Sequence, residues 1–239
     1  MRSSQLIQSI QIDWSRIDPS SYLRNIEAIN NIGRIDFVKP VTFFVGENGT
    51  GKSTLLEAIA VAYGFNPEGG TRNYSFSTYD SHSELCDAIT ITRGVKRARW
   101  GYFLRAESFY NVATQEEEYG KSPGGMSQGF HKMSHGESFL EVIRTNFRGN
   151  GFYLLDEPEA SLSPQRQLTL LLEIYRCTIA GAQFIIASHS PILLALPCAE
   201  ILSFDDGRIH PCSYEETQSY KIMSLFMNHR EQVLKKLFE

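Results

Sequence analysis

Apolar residues fall in two kinds of pattern along the chain. "VTFFV" (41–45), "GFYLLDEP" (151–158) and "AQFIIASHSP" (182–191) carry near-continuous apolar runs. Such runs predict strands buried on both faces, the last two stopped by proline. "LIQSIQI" (6–12) alternates instead, which predicts a half-buried strand, and "RIDFV" (34–38) reads as a second. Helical spacing appears in "STLLEAIAVAY" (53–63), "ESFLEVIRTNF" (137–147) and "SPQRQLTLLLEIYRCTIAG" (163–181). The last has Ser163 as N-cap, Pro164 at the first helical position and Gly181 as its stop. "AITITR" (88–93) and "ARWGYFLRA" (98–106) read as paired strands around "GVK". "EILSF" and "RIHPC" around "DDG" read as a hairpin, and 214–239 is amphipathic and ends in a charged helix. Residues 64–82 and 111–133 are rich in Gly and polar residues and read as loop. Strands alternating with helices predict an α/β fold with a mostly parallel sheet covered on both faces.

Composition narrows the class without naming a function. Apolar content of 42% and charged content of 21% over 239 residues suit a globular chain with a sizeable core. A net charge of −4 gives no overall attraction to nucleic acid. A local patch is still available in "RGVKRAR" (93–99), where Arg93, Lys96, Arg97 and Arg99 cluster about the expected turn. A solvated hairpin is the plainer reading of it. Cys86, Cys177, Cys198 and Cys212 form no CxxC pair and no zinc-type spacing, which suits a reducing cytoplasm. No run approaches the roughly 18 apolar residues of a membrane span, and "MRSSQLIQSIQIDW" is not a signal peptide.

"GENGTGKST" (46–54) carries the candidate chemistry. It satisfies G-x-x-x-x-G-K-[ST] between an apolar strand and a helix, the context a phosphate loop needs. Gly46, Gly49 and Gly51 let the backbone curl around Glu47, Asn48 and Thr50, so that successive N–H groups face phosphates. The start of the helix at Ser53 and Thr54 adds its positive dipole end. Lys52 is placed to reach the β- and γ-phosphates, and Ser53 to ligate Mg2+. Asp156 and Glu157 stand where a buried strand emerges. Asp156 is the expected second anchor for Mg2+, and Glu157 the group that positions or deprotonates the attacking water.

These residues resemble the ATP-binding-cassette (ABC) superfamily of ATPases. "MSHGE" (133–137) is similar to its signature, with Ser134 and Gly136 matching and His135 departing from the usual glycine. "PEASLSP" resembles the D-loop, and "IIASHSP" places His189 where the family keeps its switch histidine. The resemblance covers essentially the whole chain. It implies one P-loop NTPase domain of ABC-ATPase type over residues 1–239. N-terminal strands and the phosphate loop occupy 1–63, a short inserted lid 64–133, the signature-to-switch region 133–191 and a C-terminal hairpin and helix 200–239. The N-terminal part is expected to be an antiparallel β portion beside the parallel core. The resemblance further implies ATP and Mg2+ as cofactors and an ATP-dependent, head-to-tail homodimer. In it Ser134 and Gly136 of one copy meet the γ-phosphate held by the other, with Lys52, Glu157 and His189 catalytic. No obvious glutamine stands at the family's water-contacting strand end; Glu107 and Arg105 are the two candidates. Trp14 and Tyr22 are both open as the adenine-stacking ring.

"DEPEA", "GENGTGKSTLLEAI" and "ASHSP" are most similar to small stand-alone bacterial AAA-family ATPases with cassette-type motifs. They imply a non-transport nucleotide switch acting on an unidentified protein or nucleic-acid partner. A transporter's ATP-binding subunit and a nucleotide-gated binding module with little turnover are the alternatives. The stretch from Lys52 to Ser134 is too short for a long coiled-coil arm.

Overall fold

A computed structural model of the chain describes residues 5–30, 32–71, 83–106 and 135–239. Its strands are β1 (Ile7–Ile12), β2 (Arg34–Asp36), β3 (Val41–Val45), β4 (Ile89–Arg93), β5 (Trp100–Arg105), β6 (Gly151–Asp156), β7 (Gln183–Ala187), β8 (Glu200–Ser203) and β9 (His210–Cys212). Its helices are α1 (Glu27–Asn30), α2 (Lys52–Tyr63), α3 (Leu85–Ala88), α4 (His135–Asn146), α5 (Pro164–Ile179), α6 (Pro191–Leu194) and α7 (Gln218–Phe238). The larger sheet has the order β5-β6-β7-β3-β8-β9, parallel except for β9, which hairpins back against β8. A smaller antiparallel sheet, β2-β1-β4, holds the N-terminal strands.

Every residue of β3, β6 and β7 is buried, as the continuous apolar runs predict for strands with cover on both faces. Successive side chains go to opposite cores. Phe44, Leu154 and Ile185 pack with α2 and the small sheet. Phe43, Leu155 and Ile186 pack with α4, α5 and α6. Gln183, 1% exposed, ties the two sheets together. Its Oε1 accepts from the Ile7 N–H at 2.8 Å and its Nε2 donates to the Ile7 carbonyl at 2.9 Å.

One expected pairing is corrected. β4 and β5 are not a hairpin: β4 pairs with β1 in the small sheet, whereas β5 lies parallel to β6 in the large one. Their burial shows why. β4 has a single buried residue and belongs on a half-covered sheet, but Tyr102, Phe103 and Leu104 are all buried and need cover on both faces. The basic stretch after Arg93 is therefore a crossover between sheets and not a hairpin turn. The C-terminal helix forms as expected, but none of its residues is buried, and it kinks at His229 (φ −133°).

Candidate functional site

The C-terminal ends of β3, β6 and β7 lie side by side, because β7 sits between the other two. Everything with candidate chemistry leaves the sheet there. After β3 the chain turns through Gly46, Gly49 and Gly51, all at positive φ (140°, 82° and 95°), and enters α2. Gly51 admits no other residue without rearrangement: a Cβ there would stand 2.5 Å from Ile29 Cδ1. The loop wraps its own lysine. Lys52, 4% exposed, donates from Nζ to the carbonyls of Gly46 and Glu47, each at 2.7 Å. Burial holds its ammonium below the usual lysine range, and Glu157, Asp205, Asp156 and Glu159 pull the other way.

β6 delivers the two acids differently. Asp156 ends the strand, 7% exposed, and its Oδ1 accepts from the Ser53 hydroxyl at 2.8 Å. Glu157 leaves it in the left-handed region (φ 47°, ψ 50°), held there by the bond from its N–H to the Ala187 carbonyl. For a non-glycine residue this costs about 1–3 kcal/mol, and such positions cluster at functional sites. The turn aims its carboxylate at the end of β7, where His189 Nε2 stands 3.8 Å from Glu157 Oε1. That nitrogen has no hydrogen-bond partner among the described residues. Burial, then the Lys52 charge, hold the His189 imidazole below its usual pKa, so it is neutral near pH 7.

Two residues that the sequence reading did not single out complete the site. Asp205, just past β8, accepts the Glu47 N–H on Oδ1 at 3.0 Å and so fixes the first turn of the phosphate loop. Glu159 Oε1 accepts the backbone N–H of His189 and fixes the chain just past β7. Burial raises the Glu159 pKa, against the pull of that bond. Both act through neighbouring strands, and spacing in one dimension carries no sign of that.

The other expected residues fall as follows. Arg105 ends β5 beside Asp156, with Nε 3.8 Å from its Oδ2, and donates to Glu57 at 2.6 Å and to the Pro67 carbonyl. Trp14 donates from its indole to the Ile32 carbonyl at 2.8 Å and has Arg24 over its ring, while Tyr22 is 58% exposed. Gly136 is in the first turn of α4. Met133, Ser134 and Glu107 lie outside the described residues.

A cleft of about 950 Å³ opens beside the phosphate loop, bounded by Gly46, Asn48, Glu157, His189, Asp205 and α7. A smaller one of about 220 Å³ lies against Ser53, Asp156 and Glu157. Lys52 is surrounded by four carboxylates, those of Glu157, Asp205, Asp156 and Glu159. That surplus of negative charge repels a bare polyphosphate and suits one that arrives with a divalent cation. No group of three or more His, Cys, Asp and Glu among the described residues could hold a metal ion alone. The Ser53–Asp156 pair therefore fits a Mg2+ that shares its remaining ligands with phosphate oxygens and water.

A family model described as "AAA domain" matches residues 22–129, and one described as "AAA domain, putative AbiEii toxin, Type IV TA system" matches residues 133–195. The two matches, each shorter than half of the chain, mark it as similar to AAA-domain proteins. The first match contains the phosphate loop, and the second spans Asp156, Glu157 and His189. Structural maintenance of chromosomes protein 6 of Takifugu rubripes is 32% identical over 90 residues, which are 38% of this chain and 8% of that protein's length. Among solved structures, an inward-facing putative metal-chelate type ABC transporter is 15% identical, with 93% of this chain and 90% of that one covered and a TM-score of 0.49. The SMC head domain from Thermotoga maritima is 16% identical, with 89% and 100% covered and a TM-score of 0.46. No helix among the described residues is long and apolar enough to cross a membrane.

Proposed function

We propose that the chain is one ATPase domain that binds ATP with Mg2+, hydrolyses it, and thereby closes and opens a head-to-tail homodimer. The observation that carries this reading is the convergence of Lys52, the Ser53–Asp156 pair and the Glu157–His189 pair at three neighbouring strand ends. On this reading the Lys52 ammonium exchanges the Gly46 and Glu47 carbonyls for β- and γ-phosphate oxygens. The N–H groups of residues 47–54 surround the phosphates. Ser53, and Asp156 through water, would hold the metal, which would supply charge neutralisation at the phosphates. Glu157 takes the proton of the attacking water. The neutral His189 imidazole, with Nε2 uncommitted, hydrogen-bonds the γ-phosphate side. Ser134 and Gly136 of a second copy complete the site, so loss of the γ-phosphate removes the charge that bridges the two copies. The motion serves as a non-transport switch on a protein or nucleic-acid partner.

Glu157→Gln tests this directly. The variant should bind Mg2+–ATP, stop turning over and sediment as a dimer with ATP but as a monomer with ADP. A variant that remains monomeric at saturating ATP rules out the sandwich.

A further inference from the structure

The fold brings together two basic stretches that lie far apart in sequence. Residues 93–101 ("RGVKRARWG") and 144–151 ("RTNFRGNG") contain six cations and no Asp or Glu, in a chain whose net charge is −4. They are adjacent because β5 pairs in register with β6, Trp100 opposite Gly151, and because the Arg99 N–H donates to the Asn150 carbonyl at 3.0 Å. Between them is a groove of about 530 Å³ lined by Arg99, Trp100, Thr145, Asn146 and Arg148. None of Arg93, Lys96, Arg97, Arg99, Arg144 and Arg148 makes an ion pair among the described residues. Trp100, at the start of β5, is 55% exposed and stands at the edge of this groove.

We propose that this groove binds a single-stranded segment of nucleic acid, with Trp100 stacking on a base and Arg97, Arg99 and Arg148 touching phosphates. Cations alone would suit any polyanion. An exposed indole among arginines that have no acidic partner among the described residues is what distinguishes a base-bearing strand from an acidic peptide, since every base offers a face for stacking. Trp100 opens β5 and Arg105, beside Asp156, closes it, so the groove is at the opposite end of that strand from the phosphate loop. The proposal stands independently of the nucleotide reading.

The test uses the full chain and a fluorescein-labelled oligothymidylate of about one groove length, followed by anisotropy and by tryptophan emission. Of the two tryptophans, Trp14 is engaged with Ile32 and Arg24, so quenching reports Trp100. Binding should weaken as salt rises, and the joint Arg99→Gln and Arg148→Gln variant should lower the slope of log K against log salt by about 0.7 for each arginine removed. Trp100→Ala should lose roughly tenfold or more in affinity, with a melting temperature and a nucleotide affinity like those of the parent. Three results each overturn the proposal: no binding at low salt, affinity unmoved by these substitutions, and poly-glutamate or duplex DNA binding as tightly as the single strand.

Discussion

Ser53 and Asp156 are 103 residues apart in sequence, yet the Ser53 hydroxyl donates to the Asp156 carboxylate at 2.8 Å. The bond joins the first turn of α2 to the end of β6 across the intervening β7, and pre-forms the pair expected to flank a metal. If that is its role, Asp156→Ala should weaken Mg2+ binding by roughly 10–100-fold, as loss of an outer-shell carboxylate does. Nucleotide affinity measured with Mg2+ and with EDTA checks this. The parent should differ strongly between the two conditions and the variant little. An equally large Mg2+ effect in the variant would place the metal elsewhere.

Lys52 makes a sharper case, because its folding and binding effects have opposite signs. Lys52→Met removes charge-assisted bonds to phosphate, and nucleotide affinity should fall by roughly 100-fold or more. Stability should not fall with it. Burial holds the folded-state pKa of Lys52 below the usual 10.5. The unfolded chain therefore binds that proton more tightly, and the buried ammonium is a net cost at neutral pH. The melting temperature of the variant at about pH 7 should equal or exceed the parent's, read by calorimetry without nucleotide.

The sheet's interior and the phosphate loop were legible in the sequence for a shared reason. Both depend on neighbours in the chain: an unbroken apolar run for a doubly covered strand, and glycines at fixed offsets for a curled backbone. What was not legible depends on lateral order. "AITITR" and "ARWGYFLRA" follow each other closely and suggest a hairpin, yet the deeper burial of Tyr102, Phe103 and Leu104 sends the second strand to the other sheet. Asp205 stands in a stretch that reads only as a turn. It reaches the Glu47 N–H because β8 lies beside β3.

Glu159 follows the same logic and has a measurable consequence. Its carboxylate accepts the His189 N–H across the β6–β7 neighbourhood. Glu159→Ala leaves that amide without its partner in a partly buried place, a loss of about 1–3 kcal/mol. It should also lower kcat with little change in KM, since the His189 backbone loses its anchor while the phosphate loop is untouched. Glu159→Gln keeps an acceptor oxygen and should restore most of both. Denaturant unfolding and steady-state turnover on the same two variants separate this positioning role from a purely structural one, in which kcat would not move.

The acid limit of stability provides the last test, through His189. Its imidazole is held below the usual 6.5 by burial first and by the Lys52 charge second, against the pull of Glu157 and Asp205. The unfolded chain takes up this proton at a higher pH than the folded chain does. Stability from this group is therefore complete above 6.5 and is lost as pH falls through the lower folded-state value. His189→Gln removes that loss. Denaturant midpoints at about pH 7.5 and about pH 5.5 should move less in the variant than in the parent, and the His189 imidazole resonances of the parent, assigned by their loss in the variant, should titrate below 6.5. Equal movement of the midpoints would mean that His189 is not kept neutral, and with it would go the physical basis for the proposal that its Nε2 is free to meet the γ-phosphate.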